Sequence, residues 1–275
     1  MEKSTTYYEG SLANAIKKIV GSSDTPTQSF HQIFEATIKP LVESNYLFNS
    51  YHCITDLLEQ KLVFVTGVEK ILGYKDEDFS MEKSIELIHP RYRDLVIEYG
   101  LMTFQLFREQ RYRILSSRLH YNIQYPIKRI DGKFILVQMN TSIIQTDKAG
   151  NTIASYHRIG KFGPFLDVPI FIRPHIHFRT TTLYNSLAEA AERDISARVR
   201  KIMLDKLKIT SRELLILKDF SNGLSGSKIA IGQNIGTETV KEHSKKILKK
   251  ARLHLSPSFG NIKELANYLK NIDII

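Results

Sequence analysis

The chain has no tryptophan and a single cysteine, Cys53, in 275 residues. One cysteine excludes an internal disulfide framework and any cysteine-rich zinc site. No apolar run reaches the roughly 20 residues that a bilayer-spanning helix needs. The first ten residues, MEKSTTYYEG, carry no signal-peptide core. A cytoplasmic protein with no membrane partner is therefore expected. A Gly-rich phosphate loop, a zinc-protease helix and a Gly-x-Ser-x-Gly elbow are also missing. Aspartate and glutamate are plentiful, but their spacing defines no catalytic constellation. No enzyme is expected, and no cofactor or metal site is assigned.

What the chain does have is positive charge, concentrated at one end. The formal net charge is +10. Residues 201–275 hold fourteen Lys/Arg against seven Asp/Glu, so +7 of that excess lies in the last quarter. A localised excess of this size attracts a polyanion by counterion release. The length suits two domains.

Residues 209–250 organise that charge. Thr210 with Glu213 three positions on forms a capping box. Leu214, Leu217 and Phe220 then recur at helical spacing, with Leu215 and Ile216 widening the stripe. Asn222-Gly223 ends this helix. Ser225 caps a short second helix carrying Ile229 and Ala230, with Lys228 in its first turn. Gln233-Asn234-Ile235-Gly236 reads as a turn. A third helix follows, with Glu238 in its first turn, where negative charge is favourable. Val240, Ile247 and either Leu248 or Ala251 are expected to face a small core. Lys241, Glu242, Lys245, Lys246, Lys249 and Lys250 are left on the outer side. This is the layout of a helix-turn-helix that places one helix in the DNA major groove.

The stretch resembles the LuxR-type (GerE-type) helix-turn-helix domain of bacterial transcription regulators. The resemblance rests on Ile209-Thr210-Ser211-Arg212-Glu213, on Gly223-Leu224-Ser225 with Ile229-Ala230, and on Ile235-Gly236 with Thr239-Val240-Lys241, His243, Ile247 and Lys250. It covers about 65 residues, including a fourth helix near Ile262, Leu265, Ala266 and Leu269 that in the family often pairs two DNA-binding domains. It implies double-stranded DNA as partner and a homodimer. It makes Lys241 the principal base-edge or phosphate contact, with Glu242 and Lys245 on the same side. Thr237, Lys246 and Lys249 become flanking phosphate contacts, and Lys228 joins the DNA-binding set. His243 is read as structural. The chain departs from the pattern at Gln233, where a leucine is usual, at Gly236, where Ser or Thr is usual, and at Lys228, which replaces a glutamate.

Residues 1–45 read as two amphipathic helical pieces, the second stopped by Pro40. From about 46 the pattern changes to two strands, 51–56 and 62–65, then short helices near 68–72 and 80–88 and a longer one over 91–109. Three further strands follow at 121–130, 134–145 and 152–159, separated by Asp131-Gly132 and by 147–151. That order is α+β, with helices on one face of an antiparallel sheet. Residues 46–162 resemble a PAS sensor domain, through Ile71-Leu72-Gly73-Tyr74, through Ile88-His89-Pro90 with Arg93, and through Ile127-Lys128-Arg129-Ile130-Asp131-Gly132-Lys133. The resemblance implies either a ligand pocket for an unidentified small molecule or a plain apolar core used for dimerisation.

Known cofactors of that class do not fit. A flavin photosensor needs a cysteine in a polar motif on a central helix, whereas Cys53 falls on the first expected strand. A haem sensor needs an axial histidine in the pocket. His89, His120 and His157 are each read as solvent-facing or satisfied. His175 and His177 lack further metal ligands.

Residues 163–208 read as a linker. Gly163-Pro164, Pro169 and Pro174 break regular structure over 163–174. Leu183, Leu187, Ala190, Ala191, Ile195, Val199, Ile202 and Met203 then make an amphipathic helix. It either packs on its own sensor domain or forms a dimer seam. Two related regulator types are disfavoured. A receiver domain needs paired acidic residues after its first strand, and acyl-homoserine-lactone receptors usually carry pocket tryptophans. The expected chain is thus an α+β PAS-like domain over 46–162 plus an all-α helix-turn-helix domain over 209–275. The alternative is a PAS-type interaction module whose basic tail binds an acidic protein.

Overall fold

Strand β1 (Ser50–Asp56) is buried along almost its whole length. Tyr51, Cys53 and Thr55 alternate with His52 and Ile54, and all five are buried, so both faces of the strand are covered. Such a strand belongs in the interior of a sheet. β1 pairs antiparallel with β2 (Lys61–Thr66) on one side and with β5 (Thr152–Pro164) on the other. The sheet continues through β4 (Phe134–Thr146), β3 (Leu119–Lys128) and β6 (His175–Phe178), in the order β2-β1-β5-β4-β3-β6. The expected two strands followed by a three-stranded meander are present, and β6 adds an edge.

The computed structural model describes residues 39–40, 49–109, 119–147, 151–166, 175–178, 193, 197–198, 200–272 and 274–275. They fall into two units. Described residues through Phe165, with 175–178, form one; Leu166 and the residues from Arg193 onward form the other. The helical pieces expected over 1–45 lie outside the described residues, save that 39–40 are helical, Pro40 included.

Between β2 and β3 the first unit runs through α1 (Val68–Leu72), a 3-10 turn (Asp76–Asp78), α2 (Met81–Glu86) and α3 (Pro90–Glu109). Ser80 caps α2 through the Lys83 N–H. Gly67, which precedes α1, has no side chain to cap it. The Asp76 carboxylate does so instead, accepting from the N–H groups of Gly67 at 2.9 Å and Val68 at 2.8 Å. Leu72, Leu95, Val96 and Tyr99 are buried. This unit is the α+β, PAS-like fold expected from the pattern of elements.

The three short sequence tags meet in space. The Ile130 N–H donates to the Leu72 carbonyl, the His89 N–H donates to Pro126, and the Lys128 N–H donates to Leu87. Gly73 ends α1 at φ +85°, and a Cβ there would collide with the Ile130 side chain. Both facts require glycine. The Asp131-Gly132 turn joins β3 to β4 as expected, with Asp131 accepting from the Lys133 N–H at 3.1 Å.

The linker reading needs correction. Gly163 and Pro164 do not break regular structure; they end β5, opposite Leu136 and Ile135 of β4. Proline is tolerated there because it stands at a strand end, where a missing N–H costs little. β6 also falls inside the expected linker and pairs with β3 from Leu119 to Asn122. Most of the expected amphipathic helix lies outside the described residues; 200–207 are helical, with Met203 and Leu207 buried.

The second unit is all-α, also as expected. It contains α4 (Ser211–Ser221), α5 (Gly226–Gly232), α6 (Thr237–His254) and α7 (Ile262–Asn271). Leu207, Ile216, Leu217, Ile229, Val240, Ile247, Leu265 and Leu269 are nearly inaccessible and form its core. Among the described residues no helix is long and apolar enough to cross a membrane.

Candidate nucleic-acid interface and pocket

Each helix of the second unit starts where a local signal places it. Thr210 accepts from the Glu213 N–H at 3.2 Å and the Glu213 carboxylate accepts from the Thr210 N–H at 2.8 Å, completing the capping box. Ser225 accepts from the Lys228 N–H at 3.3 Å, so half of a box survives where Lys228 replaces glutamate. Gly236 starts α6 without a side-chain cap. Gly223, at φ +82°, lets the chain leave α4. Arg212 donates to the Gln233 carbonyl at 2.8 Å, and the Gln233 amide reaches Asp219. The Gln233 side chain is thus only half satisfied: its amide nitrogen has a partner, and its Oε1 is buried with none among the described residues.

α6 has two distinct sides. Val240, Ile247 and Ala251 are buried, and Leu248 is half-buried. Lys241, Lys245 and Lys249 are all exposed. Steps of four place them within about 80° of helical arc. Glu242 and Lys246 are exposed further round the same outer side. Thr237 at the start of α6 and Lys228 on α5 are exposed as well. Lys241 donates to the Glu238 carboxylate one turn back. The Lys241 hydrogen bond, then its charge, hold the Glu238 carboxyl below the usual carboxylate range. His243 is half-buried, and its Nδ1 makes no hydrogen bond among the described residues.

Two expectations fail here. Lys250 is not one of the outward lysines. Its ammonium lies 2.7 Å and 2.9 Å from the two carboxylate oxygens of Glu213, and 2.7 Å from the Lys208 carbonyl. The reason is that Glu213 is buried and needs a cation. Leu215, read as part of the apolar stripe, is 51% exposed. Glu213 occupies a buried position of α4 in its stead.

The first unit has a pocket of about 160 Å³, partly open to its surroundings, between the sheet and its helices. Apolar residues of the helical layer, among them Phe79, Ile85, Val96 and Leu101, form one wall. The sheet wall is more polar, with Tyr51, Cys53, Thr55, Tyr125, Ser155 and His157. Among the described residues no Asp, Glu, Lys or Arg lines the pocket. His157, read from sequence as solvent-facing or satisfied, is the second: Thr141 Oγ1 lies 2.8 Å from Nδ1, and Thr55 Oγ1 and Ser155 Oγ lie 3.0 Å and 2.9 Å from Nε2. Burial lowers its pKa to about 4. Sequence reasoning did not single out Thr55 or Ser155. The available signal was polar residues at alternate positions of strands whose neighbours are apolar.

No protein-family model matches the chain, and no curated protein sequence matches it. Solved structures with similarity include the N-terminal domain of a diguanylate cyclase with PAS/PAC sensor from Marinobacter aquaeolei, at 12% identity and TM-score 0.34, covering 42% of this chain and 95% of that one. The Vibrio cholerae VqmA dimer in the absence of target DNA is 16% identical at TM-score 0.30, covering 86% of this chain and 87% of that one. The phage VqmA–DPO complex is 14% identical at TM-score 0.27, covering 86% and 89%. At these TM-scores the functional reading rests on the residues and geometry above.

Proposed function

We propose that this protein is a dimeric, cytoplasmic, non-enzymatic transcription regulator of the LuxR type. In this reading 46–162 is a PAS-like sensory or dimerisation domain and 209–275 binds operator DNA through α6 in the major groove. Lys241 and Lys245 anchor α6, with Glu242 beside them at base edges. Thr237, Lys246, Lys249 and Lys228 neutralise phosphates. The observation that carries the reading is the exposed stripe Lys241, Lys245, Lys249, which lies away from the buried Val240, Ile247 and Ala251 of the same helix. A lysine row on a helix preceded by a capped two-helix turn suits a polyanion with a groove of helix width.

The test is a gel shift of purified protein with random genomic fragments, repeated over a salt series. The wild type is expected to select particular fragments. Lys241→Ala/Lys245→Ala is expected to bind more weakly, with the slope of log affinity against log salt reduced by about 2. Unchanged affinity and slope in the double variant would reject the assignment. Absence of any selected fragment would favour an acidic protein as the partner of the basic unit.

A further inference from the structure

We propose that the β3–β6 edge of the first unit carries a three-histidine site for a divalent transition-metal ion of the zinc class, formed by His120, His175 and His177. Along the chain only His175-x-His177 stand close together. Strand pairing supplies the third histidine from a distant segment. The site is independent of the DNA-binding reading and of the pocket.

β6 is four residues long and stands at the end of the strand order, next to β3. The two strands run antiparallel, with His120 opposite His177 and Asn122 opposite His175. Opposed residues of an antiparallel pair share a sheet face, with Cβ atoms roughly 5 Å apart. His175 and His177 are alternate residues of one strand, so they share that face too, about 7 Å apart along it. The three histidines therefore occupy three corners of a block of four, and Asn122 is the fourth. This is the face away from the pocket. Tyr125 lines the pocket, and it stands an odd number of positions from His120 and from Asn122 along a strand without a bulge.

The donor set fixes the class of ion. Neutral imidazole suits zinc, copper and nickel, whereas magnesium and calcium require oxygen ligands. Three imidazoles with water in the fourth position complete a tetrahedral zinc site. Such a site needs three donors approaching from one side, and a block on one sheet face provides that. Asn122 adds independent support. Its Oδ1 is buried and has no hydrogen-bond partner among the described residues. A metal-bound imidazole has one ring N–H left over and almost always donates it to an outer acceptor. Asn122 places an acceptor inside the block, at the register position opposite His175. Elsewhere among the described residues no group of three His, Cys, Asp or Glu is arranged to hold a metal. β6 is paired with β3 alone and falls within the stretch expected as a linker. An ion bound across the two strands would hold that stretch to the sheet.

The test is calorimetric titration of the untagged full-length protein with Zn²⁺, together with visible spectroscopy using Co²⁺ as a coloured substitute. The wild type is expected to take up one ion per chain and to give the strong Co²⁺ bands of a four-coordinate site. His120→Gln, His175→Gln and His177→Gln are each expected to weaken Zn²⁺ binding by more than about 100-fold, the upper end for loss of an outer-shell partner. Asn122→Ala is expected to weaken it by about 10-fold. His254→Gln, on α6, should bind as the wild type does. Zn²⁺ should also raise the Tm of the wild type and leave that of His120→Gln unchanged, since only an intact site stabilises the fold on binding. No uptake by the wild type, or the weak Co²⁺ bands of a six-coordinate ion, would overturn the proposal without recourse to any variant. Full affinity in His120→Gln, with loss in His175→Gln and His177→Gln, would mean a two-histidine surface contact only and would also overturn it. An equal loss in His254→Gln would place the ion elsewhere.

Discussion

Lys250 closes onto Glu213 across 37 positions of sequence, with its Nζ 2.7 Å and 2.9 Å from the two carboxylate oxygens. Lys250 is the last lysine of a row that otherwise faces solvent. Its pairing joins the C-terminal part of α6 to the first turn of α4.

Breaking that pair should destabilise the second unit. Lys250→Met leaves a buried carboxylate with only the Thr210 N–H, and a loss of about 3 kcal/mol is expected. Glu213→Gln keeps the cap partly and should cost about 2 kcal/mol. Burial raises the Glu213 pKa, but hydrogen bonds from Lys250 and Thr210 outweigh it, and the net direction is down. A depressed carboxyl stabilises the fold fully above the unfolded-state value, about 4.3, and that contribution is lost as the pH falls through the lower folded-state value. Urea titrations followed by circular dichroism at 222 nm measure both effects. A Lys250→Met protein as stable as the wild type would show that the pair contributes nothing.

Glu238 holds Lys241 in an ion pair at the exposed start of α6. Glu238→Gln should free Lys241 and remove a charge that repels phosphate. DNA affinity is expected to rise roughly three-fold at low salt, with the gain shrinking as salt increases. Fluorescence anisotropy with a selected DNA fragment measures it. Weaker binding by this variant would instead mean that Glu238 contributes to the contact.

His52 and His157 make the first unit sensitive to mild acid. Burial, with Arg158 as the smaller cause, lowers His52 to about 4, and burial alone lowers His157 to about 4. The unfolded histidines titrate near 6.5. Between these values the unfolded chain binds more protons, so stability is complete above about 6.5 and falls as the pH drops toward 4. The loss is expected to approach roughly 3 kcal/mol per histidine at the acid end. Tyrosine fluorescence in urea at pH 7.0 and 5.5 tests the sign, and a midpoint that does not move would contradict the burial of both rings. His52 also shares a hydrogen bond of 2.6 Å between its Nδ1 and Tyr156 Oη.

Asp76 caps a helix that precedes it in the chain. Asp76→Ala removes the acceptor for the N–H groups of Gly67 and Val68, and a loss of about 2 kcal/mol is expected. Differential scanning calorimetry should show a lower Tm for the first unit and an unchanged transition for the second. A downshift in both would mean that the two units unfold together.

Much of the architecture was legible because its signals are short. Thr210 and Glu213, three residues apart, mark the start of α4 without help from the rest of the chain. Asp131-Gly132 between alternating apolar runs marks the β3–β4 turn. The stripe Val240, Ile247, Ala251 follows from helical period, and so does the opposed row Lys241, Lys245, Lys249. The extension of β5 to Pro164 and the existence of β6 were not legible. Gly163-Pro164 carries a breaker composition, and four residues from His175 to Phe178 are too few to show a period. Lys250 was misread because helical phase leaves it on the flank of α6 and says nothing of a buried acid on another helix.

Residue order alone was enough for helix starts, turns, the alternation of β1 and the concentration of lysine at one end, since each depends on neighbours within one or two turns of chain. Folding in three dimensions was needed to pair Lys250 with Glu213 and to bring Thr55 within 3.0 Å of His157, 102 positions away. The cavity beside them is likewise a product of packing. Its volume is what remains when a sheet and a layer of helices meet, and no local pattern encodes it.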